Sequence, residues 1–453
     1  MKLNIVSIKK LHKYISTEIK FDDDLSIITG VNGSGKTQIL KLIEATLRLN
    51  INYLYEIDFT EFNLEFENDQ KIYNVSINKN QNSFTFSVND ESIKIANIKN
   101  RNSIFARRKS IQEEFVTTYQ ELIFKSSNSS FVVFSEIKPP LFLGLNRIVD
   151  IDDEEYSDSF ERSKKDSWLR SGSSGIKSIN SDHMSNSIAQ CKKLILRESE
   201  AIKKYEDAQT SVLRNKIIFS SFDYLDGNFI SHEDLASKLG SVYKRKDSII
   251  DELEKLNIND VNTNTQIRIF FDKLYNLMGA FEDNQQIEIT FELLLNLSQI
   301  ERVSNILSII DDNKKTMDVK KEKLTLFVNT VNEFFHYTGK KIQVSNLGRV
   351  YVVVNSKHRV ELENLSSGEM QLISIISNMI FCKNNNRGLV VIIDEPEISL
   401  HIKWQEIFIE VLEGIKKDAQ LILATHSPDI IGDKEVYCRP IRNSLQNKEN
   451  KNG

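Results

Sequence analysis

The chain has 453 residues and a formal net charge of −5, with 40% hydrophobic and 27% charged residues. A chain of this size and composition can bury the cores of two or three domains, and its charge excludes a protein that binds polyanions indiscriminately through bulk electrostatics. No apolar run reaches the roughly 18 residues of a membrane-spanning helix, so we expect no membrane partner.

The N-terminus and the cysteines indicate a cytoplasmic protein. Strand-like sequence begins at Met1 without the apolar segment of an export signal. Cys191, Cys382 and Cys438 lie far apart and follow neither a disulfide framework nor a metal-ligand spacing. We therefore expect free thiols in a reducing compartment.

The N-terminal part of the chain is predicted to combine strands with one helix. Short strands are expected at residues 3–7, 17–21 and 25–29, and apolar residues at helical spacing predict a helix over residues 38–49. From about residue 52 to residue 98 apolar and polar residues alternate, which predicts an antiparallel β subdomain.

The middle of the chain is predicted to be a mainly helical insertion. Two apolar runs, residues 131–134 and 141–145, predict two further buried strands. Residues 150–182 are polar and rich in Ser and Asp, which predicts a mobile loop. Residues 185–337 have a helical pattern, but their irregular apolar repeat, broken for example at residues 257–264, argues against a long uninterrupted coiled coil.

The C-terminal part returns to alternating strands and helices. Strands are predicted at residues 341–344 and 350–354, followed by a helix after Gly368. The same pattern then predicts a strand at residues 389–393, a helix at 402–415 and a strand at 421–424. This succession is typical of an α/β fold.

Residues 30–37, Gly-Val-Asn-Gly-Ser-Gly-Lys-Thr, match every position of the P-loop (Walker A) pattern. They stand between a predicted strand and a predicted helix, as the motif requires. In such a loop, glycines let backbone N–H groups face phosphates, the lysine reaches the terminal phosphates, and the threonine hydroxyl binds Mg²⁺. The predicted nucleotide-binding residues are Gly30, Asn32, Gly33, Ser34, Gly35, Lys36 and Thr37.

Two acids follow the buried strand predicted at residues 389–393. In open α/β sheets, functional groups lie at the carboxyl ends of the strands. We expect Asp394 to organise Mg²⁺ together with Thr37, and Glu395 to orient and deprotonate the attacking water. Adjacent acids at a strand end are more often merely solvated, so this assignment depends on the P-loop in the same chain.

Two further motifs complete the set. Residues 365–369, Leu-Ser-Ser-Gly-Glu, open a helix and so combine hydroxyls, free backbone N–H groups and the positive end of a helix dipole, which favours anions. His426 follows the last predicted strand. Alone, such a histidine is more often a satisfied core side chain than a functional group.

The four motifs and their order resemble the ABC-type ATPases over about residues 1–50 and 341–428. The resemblance implies ATP and Mg²⁺ as ligands, and a switch role for His426 at the γ-phosphate beside Lys36 and Glu395. It also implies a head-to-tail dimer or a higher homo-oligomer, in which the signature of one protomer caps the ATP of another. The signature residues are Leu365, Ser366, Ser367, Gly368 and Glu369.

The resemblance also gives the expected organisation of the chain. The fold class is α/β: an ABC-type P-loop ATPase head with an antiparallel β subdomain and an inserted, mainly helical arm. Residues 1–149 would form the N-terminal part of the head and residues 338–440 its C-terminal part. Between them, residues 150–337 would form the loop and arm, and residues 441–453 a flexible tail.

One departure from transporter cassettes refines the resemblance. Residues 394–401, Asp-Glu-Pro-Glu-Ile-Ser-Leu-His, are similar to the OLD-family and RecF-like soluble ATPases. The layout is closest to antiviral defence ATPases such as AriA of PARIS and PtuA of Septu. The expected Q-loop position holds Asn146 and Arg147, which are candidates for contacting nucleotide or Mg²⁺. Because only a short segment follows His426, we expect any nuclease to be a separate chain.

The predicted function is therefore an ATP-hydrolysing sensor or regulator of a multi-protein antiviral system that controls a separate nuclease effector. The alternatives are a RecF- or SMC-like DNA repair ATPase, a nucleotide-gated scaffold, and a transporter cassette, which the long arm disfavours. Basic clusters at residues 106–109, 244–246 and 314–323 have acids among or beside them, so solvated surfaces are the favoured interpretation and nucleic acid is a candidate partner only.

Overall fold

The computed structural model describes residues 1–80, 83–96, 115, 117–118, 130–144, 183–220, 269, 272, 291–355, 357–381, 389–415 and 418–441. It divides into two compact units, Met1–Leu196 with Leu326–Gly453, and Arg197–Thr325. Several predictions lie outside the described residues: the mobile loop at 150–182, the interruption at 257–264, the candidates Asn146 and Arg147, and the tail after Ile441.

The first unit contains three sheets and the helices that cover them. Its N-terminal elements are β1 (Lys2–Leu11), β2 (Ile15–Lys20), β3 (Leu25–Thr29), α1 (Lys36–Leu47), α2 (Ile51–Glu56), β4 (Glu61–Asn68), β5 (Lys71–Lys79), β6 (Ser83–Val88), β7 (Glu91–Ala96), α3 (Ser130–Glu136) and β8 (Leu141–Leu143). Two long helices follow, α4 (His183–Ser220) and α5 (Phe291–Phe335).

The C-terminal elements complete this unit. They are β9 (Lys340–Val344), β10 (Val350–Val354), β11 (His358–Val360), α6 (Ser367–Phe381), β12 (Val390–Asp394), α7 (Ile402–Ile415), β13 (Gln420–Ala424), α8 (Pro428–Ile431) and β14 (Cys438–Pro440). The α/β class, the antiparallel β subdomain and the helical insertion between the two α/β segments are confirmed.

Five parallel strands form the sheet that positions the candidate site, in the order β14-β3-β13-β12-β8. Strands β12 and β13 are buried along their whole length, which explains their continuous aliphatic sequence. Because β3, β12 and β13 are parallel neighbours, their carboxyl ends meet at one edge of the sheet. That edge carries the P-loop, Asp394 with Glu395, and the segment that begins at Thr425.

Six antiparallel strands form the second sheet, in the order β2-β1-β4-β5-β6-β7. Alternate residues of β4 and β6 are buried, including Phe62, Phe66 and Phe86, as the period of two predicts. The prediction of strand from residue 52 onward is wrong at its start, because α2 occupies residues 51–56. The side chain of Asn50 accepts a hydrogen bond from the Tyr53 backbone N–H at 3.2 Å and caps this helix.

The strand predicted at residues 131–134 is also wrong, because α3 is a helix. Phe131 and Phe134 both pack against Phe86: the ring centroid of Phe131 lies 6.2 Å, and that of Phe134 6.1 Å, from the ring centroid of Phe86. Residues three apart share a face only in a helix; in a strand they would point to opposite faces. A four-residue apolar run could not distinguish the two. The strand predicted at 141–145 is confirmed as β8 over its first three residues.

In the second unit, parts of α4 and α5 pack against each other as antiparallel helices. Leu213 and Ile310 form a buried contact, and Glu206 lies 3.5 Å from the Lys321 ammonium. Each helix is itself unbroken, for 38 and 45 residues, whereas the interruption expected at residues 257–264 lies outside the described residues. Neither contains Pro or Gly, and helix-forming charged residues sustain them without a regular apolar stripe.

The C-terminal end of α5 belongs to the first unit and contacts helices α6 and α7 there. Phe327 of α5 packs on Phe381 of α6 with ring centroids 5.4 Å apart. The Trp404 indole of α7 donates a 2.9 Å hydrogen bond to the Phe334 carbonyl and stacks on Phe335. Within the described part of the chain, no helix is both long enough and apolar enough to span a membrane.

Candidate active site

The P-loop lies between β3 and α1, as predicted. Gly33 and Gly35 have φ angles of 82° and 95°, the left-handed region that favours glycine. A Cβ on Gly35 would also lie 2.9 Å from the Ile15 side chain. The Lys36 ammonium folds over the loop and donates to the carbonyls of Gly30 at 2.6 Å and Val31 at 3.5 Å. The loop therefore holds its lysine inside a tight backbone turn.

A cavity of about 330 Å³ opens above this loop. It is lined by six of the seven predicted P-loop residues, Asn32 to Thr37, and by Glu395 from the end of β12. None of the described residues of the signature, 365–369, lines it. The lining residues are His12, Tyr14, Ile15, Asn32, Gly33, Ser34, Gly35, Lys36, Thr37, Gln38 and Glu395.

Asp394 is fully buried at the floor of this edge of the sheet. Its Oδ1 accepts a 3.2 Å hydrogen bond from the Thr37 hydroxyl, whereas Oδ2 has no partner among the described residues. Burial raises the pKa of Asp394, and the negative charge of Glu395 raises it further, against the opposing hydrogen bond from Thr37. A buried carboxylate oxygen without a partner is costly unless a ligand uses it.

These side chains fit a magnesium ion bound with a nucleotide. Mg²⁺ prefers oxygen ligands and commonly binds through one or two protein groups while phosphates and waters complete its shell. Thr37 and Asp394 supply a hydroxyl and a carboxylate at one point, and the buried Ser34 hydroxyl likewise has no partner in the described structure. Within the described ranges, no group of three or more His, Cys, Asp or Glu side chains is arranged to hold a metal ion.

Glu395 faces the cavity from a strained backbone position. Its φ angle is 47°, a value that residues other than glycine rarely adopt. Its N–H donates to the Ala424 carbonyl at 2.8 Å, so the end of β13 fixes the turn. Non-glycine residues in this region often mark functional sites, because the surrounding structure must compensate for the strain.

His426 follows β13, but it is not among the residues that line the cavity. Its Nδ1 and its backbone nitrogen each lie 2.9 Å from Oε1 of Glu397. The His426 side chain is 47% exposed, whereas that of Glu397 is 8% exposed. The structure therefore places the predicted switch histidine against an acid that the sequence did not single out.

The signature turn satisfies its own polar groups. The backbone N–H and the hydroxyl of Ser366 both donate to Oε2 of Glu369 at 2.9 Å, and the Glu369 N–H lies 3.4 Å from the Ser366 hydroxyl. This arrangement is a capping box at the start of α6. Lys340 of β9 adds an ion pair to Oε1 at 2.6 Å. Burial opposes ionisation of Glu369, but the hydrogen bonds from Lys340 and Ser366 prevail, and its pKa is lowered.

The segment from Pro396 to Leu400, called here the D-segment, contacts both the signature helix and the residues after β13. The Gln371 side chain of α6 donates to the Pro396 carbonyl at 2.9 Å. Gly368 lies so close that a Cβ there would be 2.0 Å from the Ser399 carbonyl oxygen. On the other side, Gln405 donates to the Leu400 carbonyl at 2.9 Å and accepts from the Ser427 hydroxyl at 2.7 Å.

Sequence reasoning missed several residues that the fold brings to this site. His12, Tyr14 and Ile15 reach the cavity from the β1–β2 hairpin, whose tip is held by a 2.8 Å hydrogen bond from the His12 N–H to the Asp58 carbonyl. Gln38 also lines it, and its Oε1 accepts from the Tyr53 hydroxyl at 3.0 Å. The hairpin carries no motif, so only the three-dimensional structure could reveal its role as a wall.

The chain is similar to two curated proteins over parts of their lengths. The "Retron Vc95 probable ATPase" of Vibrio cholerae serotype O1 biovar El Tor is 24% identical over 249 residues, 52% of this chain and 42% of that protein. The "Retron Ec83 probable ATPase" of Escherichia coli is 26% identical over 145 residues, 27% of this chain and 26% of that protein. The matched regions thus span less than half the length of either relative.

Solved structures and a family model complete the comparison. An Smc head domain with an extended coiled coil from Pyrococcus furiosus has 11% identity and a TM-score of 0.40, covering 98% of this chain and 94% of that one. An SMC head domain from Thermotoga maritima has 12% identity and a TM-score of 0.35, covering 95% and 91%. The family model described as "AAA ATPase domain" matches residues 1–431. The chain therefore belongs to the AAA ATPase domain family.

Proposed function

We propose that this chain binds and hydrolyses ATP with Mg²⁺, and that it is the regulatory ATPase of a multi-protein antiviral defence system that controls a separate effector, a nuclease being the predicted class. Its family supports the ATPase activity, and the similarity to two retron ATPases supports the defence setting. One observation carries the chemistry: Thr37 and Asp394 meet at 3.2 Å beside a cavity that also contains Lys36 and Glu395.

In the proposed reaction the P-loop holds the phosphates of ATP through its backbone N–H groups and Lys36. The metal, when bound, neutralises developing charge on the phosphates, and Thr37 and Asp394 would hold it. Glu395 accepts a proton as the oxygen of water bonds to the γ-phosphorus and the bond to the ADP oxygen breaks. The products are ADP and inorganic phosphate.

We also propose a head-to-tail dimer or a higher homo-oligomer as the active form. The cavity of one protomer contains none of residues 365–369, so a signature that contacts ATP would come from a second copy. The capping box orders the start of α6, and the positive N-terminal end of that helix would face the phosphates held by the second copy. ATP would thus be the ligand that joins the two copies.

The first experiment separates binding from hydrolysis. We expect Glu395→Gln to bind ATP with an affinity within about threefold of the wild type and to lose at least about 100-fold in turnover, because removing a general base typically costs 10²–10⁴-fold. Glu410→Gln, an exposed position on α7, is the matched control and should retain full turnover. Full hydrolysis by Glu395→Gln would contradict the role of Glu395.

The second experiment addresses the biological setting. The tagged chain is expressed from its own locus with flanking genes and analysed by native mass spectrometry with and without ATP. A stoichiometric complex with a nuclease-like neighbour supports the defence proposal. An ATP-dependent homodimer that instead retains DNA, with binding that weakens steeply as salt rises, favours a repair function like that of RecF or SMC proteins.

A further inference from the structure

We propose that Glu397 is a positioning residue for His426: its carboxylate fixes the imidazole through Nδ1 and so turns Nε2 toward the γ-phosphate of ATP. The inference rests on the proposed function, because it assigns a partner to the switch histidine of the same reaction. It adds a third acid, three residues after Asp394, to the two that the sequence motif identifies.

The Glu397 carboxylate contacts both the backbone and the ring of His426. A single oxygen, Oε1, lies 2.9 Å from the backbone nitrogen and 2.9 Å from Nδ1. The backbone N–H can only donate, so Oε1 accepts from it. The same carboxylate then accepts from Nδ1–H. Two contacts to one atom fix where the residue lies and how its ring is turned.

The ring chemistry follows from this contact. With Nδ1 occupied by Glu397, Nε2 lies on the opposite side of the imidazole and is the nitrogen available to a second partner. Phosphate oxygens accept hydrogen bonds, so Nε2 must carry a proton to contact them. The imidazole between Glu397 and a phosphate therefore presents Nε2 to the phosphate as a donor, while the contact of Nδ1 with Glu397 holds the ring in that orientation.

Burial argues against a role for Glu397 in packing alone. Its side chain is only 8% exposed, and among the described residues its Oε2 is buried without a hydrogen-bond partner. A buried, half-satisfied carboxylate is unfavourable, and an apolar side chain of similar size would avoid that cost. Keeping an acid here is consistent with a requirement for its contact to His426.

Hydrogen bonds of the neighbouring backbone hold Glu397 in place. The N–H of Ile398 donates to the Glu395 carbonyl at 3.3 Å, and the N–H of Leu400 donates to the Glu397 carbonyl at 3.1 Å. These turns fix the D-segment, which Gln371 also holds from the signature helix. Supporting groups that orient functional side chains need this kind of fixed backbone.

The test compares two substitutions that remove different properties. Glu397→Gln keeps an oxygen that can accept from Nδ1–H but loses the charge, whereas Glu397→Leu loses both. We expect Glu397→Leu to lower kcat about 10- to 100-fold with KM changed less than threefold, and Glu397→Gln to recover part of that loss. In a His426→Ala background, Glu397→Leu should have no further effect on kcat. If Glu397→Leu lowered kcat by the same factor in the wild type and in His426→Ala, the inference would be overturned.

A second readout does not depend on turnover. The protein without nucleotide is labelled with ¹⁵N in its histidine rings, and the His426 signals are identified by their loss in His426→Ala. We expect a protonated Nδ1 in the wild type and in Glu397→Gln, and a shift toward an unprotonated Nδ1 in Glu397→Leu. An unchanged ring signal in Glu397→Leu would overturn the inference. Glu410→Gln should leave the His426 signal unchanged.

The two readouts separate the inference from the proposed function. If the wild type does not hydrolyse ATP, the proposed function is wrong, while the ring signal still decides whether Glu397 fixes the histidine. If hydrolysis is present but insensitive to Glu397→Leu, the positioning role is wrong and the ATPase assignment stands. Thermal unfolding of each variant identifies any loss that comes from misfolding.

Discussion

Asp394 and Glu369 are two buried carboxylates of the same unit, in opposite electrostatic situations. Asp394 has one hydrogen bond, from Thr37, and an oxygen without a partner among the described residues, and burial raises its pKa. Glu369 is also buried, but Lys340 and Ser366 donate to its two oxygens and its pKa is lowered. Burial is therefore not what distinguishes a structural acid from one kept for a ligand.

The difference indicates which part of the proposed ATP site needs a ligand to be complete. At the P-loop, polar groups of Asp394 and Ser34 are buried without partners in the described structure, so that end lowers stability until a ligand uses them. At the signature, the capping box and the ion pair are complete within one chain. The P-loop side of the proposed site therefore needs a ligand to satisfy its buried polar groups, whereas the signature turn is satisfied without one.

The largest expected effect is the loss of ATP binding in Lys36→Ala, which we compare with Lys340→Ala at the signature turn. In the described part of the chain the hydrogen bonds of the Lys36 ammonium go to backbone carbonyls of its own loop, so Lys36→Ala should weaken ATP binding at least about 100-fold while changing Tm by less than about 2 °C. Isothermal titration with ATP and Mg²⁺ gives the affinity. The matched control, Lys340→Ala, should instead lower Tm and leave ATP binding by the isolated protomer intact. Unchanged affinity in Lys36→Ala would remove Lys36 from the site.

Glu369→Gln should have the next largest effect, on stability. It removes a buried charge and leaves Lys340 without its counter-ion, which we expect to cost about 2–3 kcal/mol. Because the pKa of Glu369 is lowered on folding, its contribution is complete above the unfolded value of 4.5 and is lost as the pH falls through the lower folded value. Thermal melts should therefore separate wild type and variant at pH 7 and bring them together in acid. Equal stability at pH 7 would contradict the prediction.

Asp394→Asn should act in the opposite direction on stability. Since the pKa of Asp394 is raised on folding, the ionised carboxylate destabilises the protein above that folded pKa, and the effect disappears as the pH falls below the unfolded value of 3.8. A neutral amide of the same shape should raise Tm by about 2 °C at pH 7 and abolish Mg²⁺-dependent ATP binding. Asp418→Asn, at an exposed position, should change neither quantity. A lower Tm for Asp394→Asn would mean that its carboxylate is structural.

The smallest expected effect concerns the backbone of Glu395. Its φ of 47° costs a non-glycine residue about 1 kcal/mol, part of which glycine loses again through its greater freedom when unfolded. Glu395→Gly should therefore be more stable than Glu395→Gln by less than about 1 kcal/mol, although both lose hydrolysis. Both variants lose the charge beside Asp394, so the difference in Tm isolates the backbone. A glycine variant less stable than the glutamine variant would mean that the position is not strained.

The sequence predicted those parts of the fold that local patterns determine. Strands β3, β12 and β13 were found because continuous aliphatic runs end in chemical motifs, and α7 was found with its observed bounds. Helix α3 was missed because a four-residue apolar run has no period to measure. Helix α2 was missed because its start depends on the Asn50 cap rather than on an apolar repeat.

The contacts between distant residues could not be predicted in the same way. The pairing of Glu397 with His426 depends on β12 and β13 being parallel neighbours, so that the turns after them lie side by side. The pairing of Lys340 with Glu369 depends on where β9 runs beside the signature turn. Sequence motifs identified one member of each pair, and the fold was needed to identify the other.

The close contact between Gly368 and the Ser399 carbonyl limits how this protein can mutate. Any side chain at position 368 must displace the D-segment, whose other contacts reach Gln371 and, through Glu397, His426. A selection for inactive variants should therefore recover Gly368 substitutions whose effects resemble those of combined substitutions in the 365–369 turn and at His426. Second-site substitutions that restore activity to such variants should occur within residues 396–400. We therefore expect residues 365–369 and residues 396–400 to change together during evolution.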